Sequence, residues 1–347
     1  MTETIQKKKR DVSLDLAKGI LIFLVVWGHS ILYGFGYGYG EAGKYWHDYV
    51  YRAIYTFHMP LFMAISGYLF YYSNKKPFRE VMLSRLKSIG IPYLTYCTIT
   101  VLLLAPFKGG AESFIMDTYA NGYWFLTSVL FNCIIVSIVT YVTRKRVLVT
   151  AILLLIDIIL LFVDENYLYK THNYMYTCFI IGYLYNVHLQ RPITFKKTKR
   201  SVGIVLLILF ILCVSIFKDE LYVYGSGVCI LKDGGINLHQ YWVDLVRCSI
   251  GFCCSIFFLY MIPLFQNLRE MIKEKIYLMS HFSIGIYCLS DIILTIYYKV
   301  LGNLGIEIPF NYITPIILAI VVVIISCVIL RYCEKRKLLK MLFLGGR

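Results

Sequence analysis

One feature repeats along the whole chain: apolar runs of about 16 to 23 residues, separated by short segments that hold most of the charge. A helix of that length crosses the roughly 30 Å hydrocarbon layer of a bilayer, and it satisfies its own backbone hydrogen bonds where no water can. The residue balance agrees, because 59% are hydrophobic and 16% charged, against about a quarter charged in an average soluble domain. The expected fold class is all-α, a polytopic integral membrane protein whose solvent is lipid over most of its length.

Gly, Pro and charged boundaries place about ten spans, near residues 13–34, 50–72, 88–106, 122–142, 147–163, 173–187, 202–217, 243–265, 277–298 and 309–331. Short loops rich in Lys and Arg stay cytoplasmic, which tests the count. Of the 35 basic residues, 26 fall in Lys7 to Arg10, Lys75 to Lys87, Arg144 to Arg146, Arg191 to Arg200, Arg269 to Lys275 and the tail from Arg331, while the intervening loops hold six. The two sets alternate, so both termini are expected in the cytoplasm. The longest extracytoplasmic loop, about 218–242, is too short for a domain, and a single transmembrane domain is expected over 1–347. The first run ends in Gly28-His29-Ser30 with no small-residue cleavage site, which reads as a retained helix.

A net charge of +15 would suit a nucleic-acid partner, but its distribution is that of the positive-inside rule, so no such partner is expected. The 11 cysteines lie mostly in apolar runs without CxxC or Cys/His spacing, which reads as small buried hydrophobes and neither a disulfide framework nor a metal site.

Ionisable groups inside spans cost several kcal/mol unless a cavity or partner receives them, so each is a functional candidate. They are Asp15, Lys18, His29, Arg52, His58, Asp157, Asp244, Arg247 and Asp291. Lys18 and His29 lie eleven residues apart, which returns them to one helical face within about 20° and separates them by about 16 Å. Asp15 falls about 40° from His29. A cation at the inner surface and an imidazole beyond the midplane suit a long anionic cofactor, with Lys18 and Asp15 at its entrance; the alternative for Lys18 is snorkelling to the headgroups. His58 sits in the second span at a similar depth, beside Pro60, which frees a backbone carbonyl near Thr56. It is either a site residue or an interhelical hydrogen bond.

Arg52, at the outer boundary, reads as an anchor or a contact for a substrate carboxylate. Asp244 and Arg247 can pair along one face of the eighth span, as a structural ion pair or as part of a substrate site. Asp291 shares that outer half, and Asp157 receives no role.

The strings Asp15-x-x-Lys18-Gly19-Ile20, Trp27-Gly28-His29, Phe57-His58-Met59-Pro60-Leu61-Phe62 and Ile65-Ser66-Gly67-Tyr68 resemble the acyltransferase type 3 family, in particular its fucose 4-O-acetylase-like branch. Arg85-Leu86-Lys87 to Pro92 and Trp124-Phe125-Leu126 extend the likeness. The resemblance implies a membrane enzyme that moves an acyl group, usually acetyl, from cytoplasmic acyl-CoA to a glycan hydroxyl. The family's basic residue, ten intervening residues and histidine fall on Lys18 and His29, and its second-helix histidine on His58. One departure stands near the end: Ser283 to Tyr287 fit the family's pattern, but Ser290 occupies the place of its histidine, with Asp291 next.

On that basis His29 is expected to act as general base, Lys18 to hold the coenzyme phosphates, and His58 to orient the acceptor or stabilise charge, the two histidines being interchangeable at this stage. Arg52, Arg247, Ser290 and Asp291 are candidate acceptor contacts. The expected partners are the bilayer of the cell membrane, acyl-CoA and a glycan acceptor. A transporter or glycan exporter is the competing class, since the same buried charges would line a pathway, although no internal inverted repeat is visible. A membrane partner without catalysis leaves the Lys18/His29 stripe unexplained.

Overall fold

The computed structural model describes residues 12–35, 44–107, 111–163, 170–189, 200–232, 235–306, 308 and 311–346. The elements run α1 (Val12–Tyr33), α2 (Tyr49–Tyr55), α3 (His58–Ser73), α4 (Phe78–Arg85), α5 (Ile91–Leu104), α6 (Ala111–Asn121), α7 (Trp124–Val142) and α8 (Arg146–Leu160). They continue with α9 (Lys170–His188), α10 (Arg200–Ile216), α11 (Val223–Ser226), a hairpin of β1 (Leu231–Lys232) and β2 (Gly235–Ile236), α12 (Leu238–Phe265), α13 (Glu270–His281), α14 (Ser283–Asn303), α15 (Ile313–Glu334) and α16 (Lys337–Leu344). Helices dominate, as the apolar runs require. In the hairpin Leu231 stands opposite Ile236 and Lys232 opposite Gly235.

Among the described residues, seven helical segments are long and apolar enough to cross a membrane: Val12–Tyr33, Tyr49–Ser73, Phe78–Leu104, Trp124–Val142, Leu238–Phe265, Ser283–Asn303 and Ile313–Glu334. The three other expected spans are helices of lesser reach. The helices α8 and α10 have 15 and 17 residues, and α9 has 19 but carries His172, Asn173, Thr177 and Asn186. The expected span at 277–298 is divided, because the backbone breaks at Phe282 between α13 and α14. Ile204, Ile208 and Ile211 on α10 and Ile317, Ile324 and Val328 on α15 are exposed, a surface that only lipid can cover without cost. This is a multi-pass membrane protein.

The first helix is the axle. Leu16, Ala17, Leu21 and Val26 are fully buried, and α1 packs against α3, α12, α13, α14 and α15. Next to it α3 and α9 lie almost in backbone contact, since a Cβ on Gly67 would strike the Phe179 carbonyl and one on Gly182 the Ala64 carbonyl. Small residues permit such approach between membrane helices, where dispersion and not water exclusion supplies the attraction.

Local chemistry sets the starts of α2 and α12. The Asp48 carboxylate caps α2 by accepting from the Tyr51 N–H at 2.7 Å, and Asn237 caps α12 through the Gln240 N–H at 3.2 Å. Each satisfies a helix N–H that has no partner in the preceding turn. The second span is interrupted at Thr56 and Phe57 and restarts at His58, with Pro60 the third residue of α3. In the first turn of a helix proline forfeits no intrahelical bond.

Candidate active site

Two cavities lie along the interior stripe of α1. The one beside the C-terminal half of α1, the outer one in the expected topology, with about 70 Å³ of free volume, is walled by His29, Tyr55, His58, Trp124, Tyr222 and Arg247 among others. The inner one, about 140 Å³, holds Lys18 and Arg85 with Ser66, Ser73, Phe125 and Ser283. Neither wall includes an Asp or Glu. The stripe therefore faces protein and not lipid.

The break between α2 and α3 aims His58. Its Nδ1 meets the Ile54 carbonyl at 2.7 Å, and since a carbonyl only accepts, Nδ1 carries the proton; in its neutral form the ring then presents Nε2 as an acceptor. A neutral His58 so held cannot donate to an oxyanion. His29 is constrained differently: its ring lies 6.4 Å from that of Tyr33 and 6.3 Å from that of Tyr287, and its buried Nδ1 has no hydrogen-bond partner among the described residues. Tyr33 in turn donates its hydroxyl to Asp291, which places a carboxylate one side chain behind the imidazole.

Arg247 is 2% exposed, and its donors are committed. Nε reaches the Leu221 carbonyl at 2.7 Å, Nη1 the Gly227 carbonyl at 2.9 Å and Asp244 at 2.7 Å, and Nη2 the Ser226 hydroxyl. Its guanidinium thus clamps the 221–227 segment, whose Leu221, Tyr222 and Val223 line the cavity. Held in that segment, Tyr222 stacks among Trp46, Tyr51 and Phe217. Its hydroxyl is buried without a partner among the described residues. Burial pushes the Tyr222 phenol well above the ordinary tyrosine range, with Arg52 opposing, so it remains a protonated donor.

The remaining sequence candidates lie apart from the outer cavity. Asp15 accepts from the Ser280 hydroxyl at 3.2 Å and ties α1 to α13. Ser290 is buried and returns its hydroxyl to the Tyr287 carbonyl at 3.0 Å. Arg52 donates to the Trp46 carbonyl at 2.7 Å, and Asp157 accepts from Thr177 at 2.8 Å between α8 and α9. Thus His29, His58 and Arg247 converge, whereas Ser290, Asp291 and Arg52 do not line the cavity.

Sequence reasoning did not single out Arg85 and Tyr222, which line the two cavities. Arg85 stands among loop cations that the positive-inside rule already explains, yet it leans over the Phe70 ring at 5.1 Å and buries an Nε with no hydrogen-bond partner among the described residues. No spacing signal marks a tyrosine in the segment between α10 and α12. Aromatic rings run from one cavity wall to the other: Phe62 and Phe125, which line the inner cavity, lie 5.4 Å apart between ring centres, and Phe125 lies 5.9 Å from Tyr287, which lines the outer one.

Two nodulation proteins NolL are similar to part of the chain. That of Mesorhizobium japonicum is 35% identical over 142 residues, 39% of this chain and 37% of its own length. That of Sinorhizobium fredii is 38% identical over 128 residues, 35% of this chain and 34% of its own. The chain therefore spans little more than a third of these curated relatives. No solved structure matches it. The profile of the acyltransferase domain family matches residues 11–332, nearly the whole chain and both cavities with it, so the protein belongs to the type 3 acyltransferase family.

Proposed function

We propose that the protein is a membrane-bound O-acyltransferase of the cell membrane, moving an acyl group, acetyl in our reading, from cytoplasmic acyl-CoA to a hydroxyl of a cell-surface or lipid-linked glycan. The observation that carries this reading is the pairing of two chambers on one helix: an inner one with two cations and no carboxylate, an outer one with two imidazoles. The topology that goes with it has ten spans, counting the short helices α8 to α10, with both termini cytoplasmic and one transmembrane domain over 1–347.

Lys18 and Arg85 hold the coenzyme phosphates, which suits the Arg85 Nε that has no hydrogen-bond partner among the described residues. The thioester reaches past Phe125 to the outer chamber. His58 Nε2 orients the acceptor, and His29 takes the hydroxyl proton as the oxygen attacks the thioester carbon. The Tyr222 hydroxyl donates to the oxyanion of the tetrahedral intermediate. The carbon–sulfur bond then breaks, and His29 returns its proton to the thiolate, releasing the coenzyme as a thiol. Asp291, reached through Tyr33, stabilises the transient imidazolium, while Arg247 keeps Tyr222 in place.

The test uses the full chain in lipid nanodiscs with labelled acetyl-CoA and a panel of glycans. Glycan-dependent thiol release is expected, and His29→Ala should lower it by about 10²–10⁴-fold, the range for a general base, with insertion intact. Gradient-driven glycan flux without thioester loss would replace the enzyme with a transporter.

A further inference from the structure

A third cavity, of about 370 Å³, opens where α3 and α7 end and α8 begins. Lys75, Lys76, Arg144 and Arg146 line it, and no Asp or Glu does. Among the described residues none of these four cations is in an ion pair with a carboxylate. Loop cations that merely fix topology need not gather, because the positive-inside rule counts charges and is indifferent to where they point. Here they share one concavity.

Its floor is built and satisfied. Asn74 Nδ2 donates to the Thr140 hydroxyl at 2.9 Å and the Tyr183 hydroxyl at 3.1 Å, and the Ser137 hydroxyl donates to Asn74 Oδ1 at 3.0 Å. That network pins α3, α7 and α9 together beneath the cations, so the cleft is held open by hydrogen bonds that no ligand has to displace. At its rim Phe78 and Tyr141 are exposed and lie 5.2 Å apart between ring centres, as side chains do at the interface between headgroups and hydrocarbon. Lys75 is steadied 4.7 Å above the Tyr71 ring.

We infer that this cleft binds the headgroup of an anionic phospholipid from the cytoplasmic leaflet. Unpaired cations between transmembrane helices at headgroup depth match phosphate-bearing headgroups, and the aromatic rim gives the adjoining acyl chains an apolar edge. A free nucleotide phosphate would find the same charge but would leave that rim bare. The site stands on the far side of α3 from the Lys18 chamber and does not depend on acyl transfer.

The test is native mass spectrometry of the detergent-solubilised full chain titrated with phosphatidylglycerol, with phosphatidylcholine as the neutral reference. Each cation near the surface contributes roughly fivefold in affinity. Arg146→Gln should therefore raise the apparent Kd for phosphatidylglycerol about fivefold, and Lys75→Gln with Arg146→Gln about 25-fold, with phosphatidylcholine unaffected. Lys337→Gln with Lys340→Gln removes equal charge from α16 and should leave binding unchanged. All of these cations but Lys340 are exposed and Lys340 is partly so, so unfolding temperatures taken alongside should hold. Equal weakening by the α16 pair, or no weakening by the cleft pair, would overturn the site. Displacement of the lipid by 3′,5′-adenosine diphosphate, with no preference between the two lipids, would overturn the lipid assignment in favour of a soluble phosphate ligand.

Discussion

Arg247→Met tests whether this arginine is a clamp or a substrate contact. The side chain holds two backbone carbonyls, the Ser226 hydroxyl and the Asp244 carboxylate, and the pair is 2% and 12% exposed. Hydrogen bonds to a charged group contribute about 1.5–3 kcal/mol each, but simple addition overshoots, since the freed carbonyls lie near the outer boundary and regain water. The better guide is the cost of removing one partner of a buried ion pair, about 3–5 kcal/mol. That energy should appear as local opening of the 219–227 segment. Its reporters are the amides of Leu221, Tyr222, Ser226 and Gly227, which bond within the segment or to Lys218. Hydrogen exchange in nanodiscs should show their protection fall by up to about 10²–10⁴-fold, while Arg247→Lys, which keeps the charge but not the planar fork, should lose less. Adding Asp244→Asn to Arg247→Met should restore part of the protection by removing a mostly buried carboxylate whose guanidinium is gone, while Gln240 still donates to its oxygen. If protection is unchanged in Arg247→Met while acyl transfer is lost, the clamp is wrong and Arg247 contacts substrate.

Three further outcomes follow from the same geometry. Tyr222→Phe should lower kcat by about 10²–10³-fold, the range for one oxyanion donor, and leave the unfolding temperature unchanged or slightly raised, because the hydroxyl it removes is buried with no partner among the described residues; equal activity would dismiss the donor role. Lys18→Gln and Arg85→Gln should each raise KM for acetyl-CoA severalfold with little change in kcat, since in the proposed assignment they hold phosphate remote from the reacting carbon; an effect on kcat alone would place them elsewhere in the cycle. Phe125→Ala should join the two chambers and raise thioester hydrolysis in the absence of glycan, measured as thiol release, at a cost of about 3–5 kcal/mol in stability; a variant that folds and shows no added hydrolysis would argue against the route past Phe125.

The helices and the shared face of Lys18 and His29 were legible because both depend on periodicity, which a sequence displays directly. That this face meets protein and not lipid was not legible; it required the helices packed around α1. Convergence of His58 on His29 was legible only as equal depth; the common wall required the break at Thr56 and Phe57 and the placement of α2, α3 and α14 around α1. Arg247 lay at the right depth, yet its partners come from 26 and 20 residues upstream, which no local pattern encodes. Ser290 and Asp291 were singled out by a motif position, but a step of one residue along a helix turns a side chain by about 100°, and that rotation sends Ser290 into its own backbone and Asp291 to Tyr33. The three marginal spans show the same boundary. Length and composition identify a helix, but a polar helix such as α9 is buried by its neighbours, and burial is a property of the assembled bundle.

The sheet of rings formed by Phe62, Phe125 and Tyr287 bears on electrical behaviour as well as chemistry. A continuous file of water through the molecule would conduct protons and discharge any voltage across the bilayer. On the proposed route, these rings would interrupt any such file between the two chambers. A protein working that way would hand a group of a few atoms from one compartment toward the other and still behave, to an ion, as an insulator.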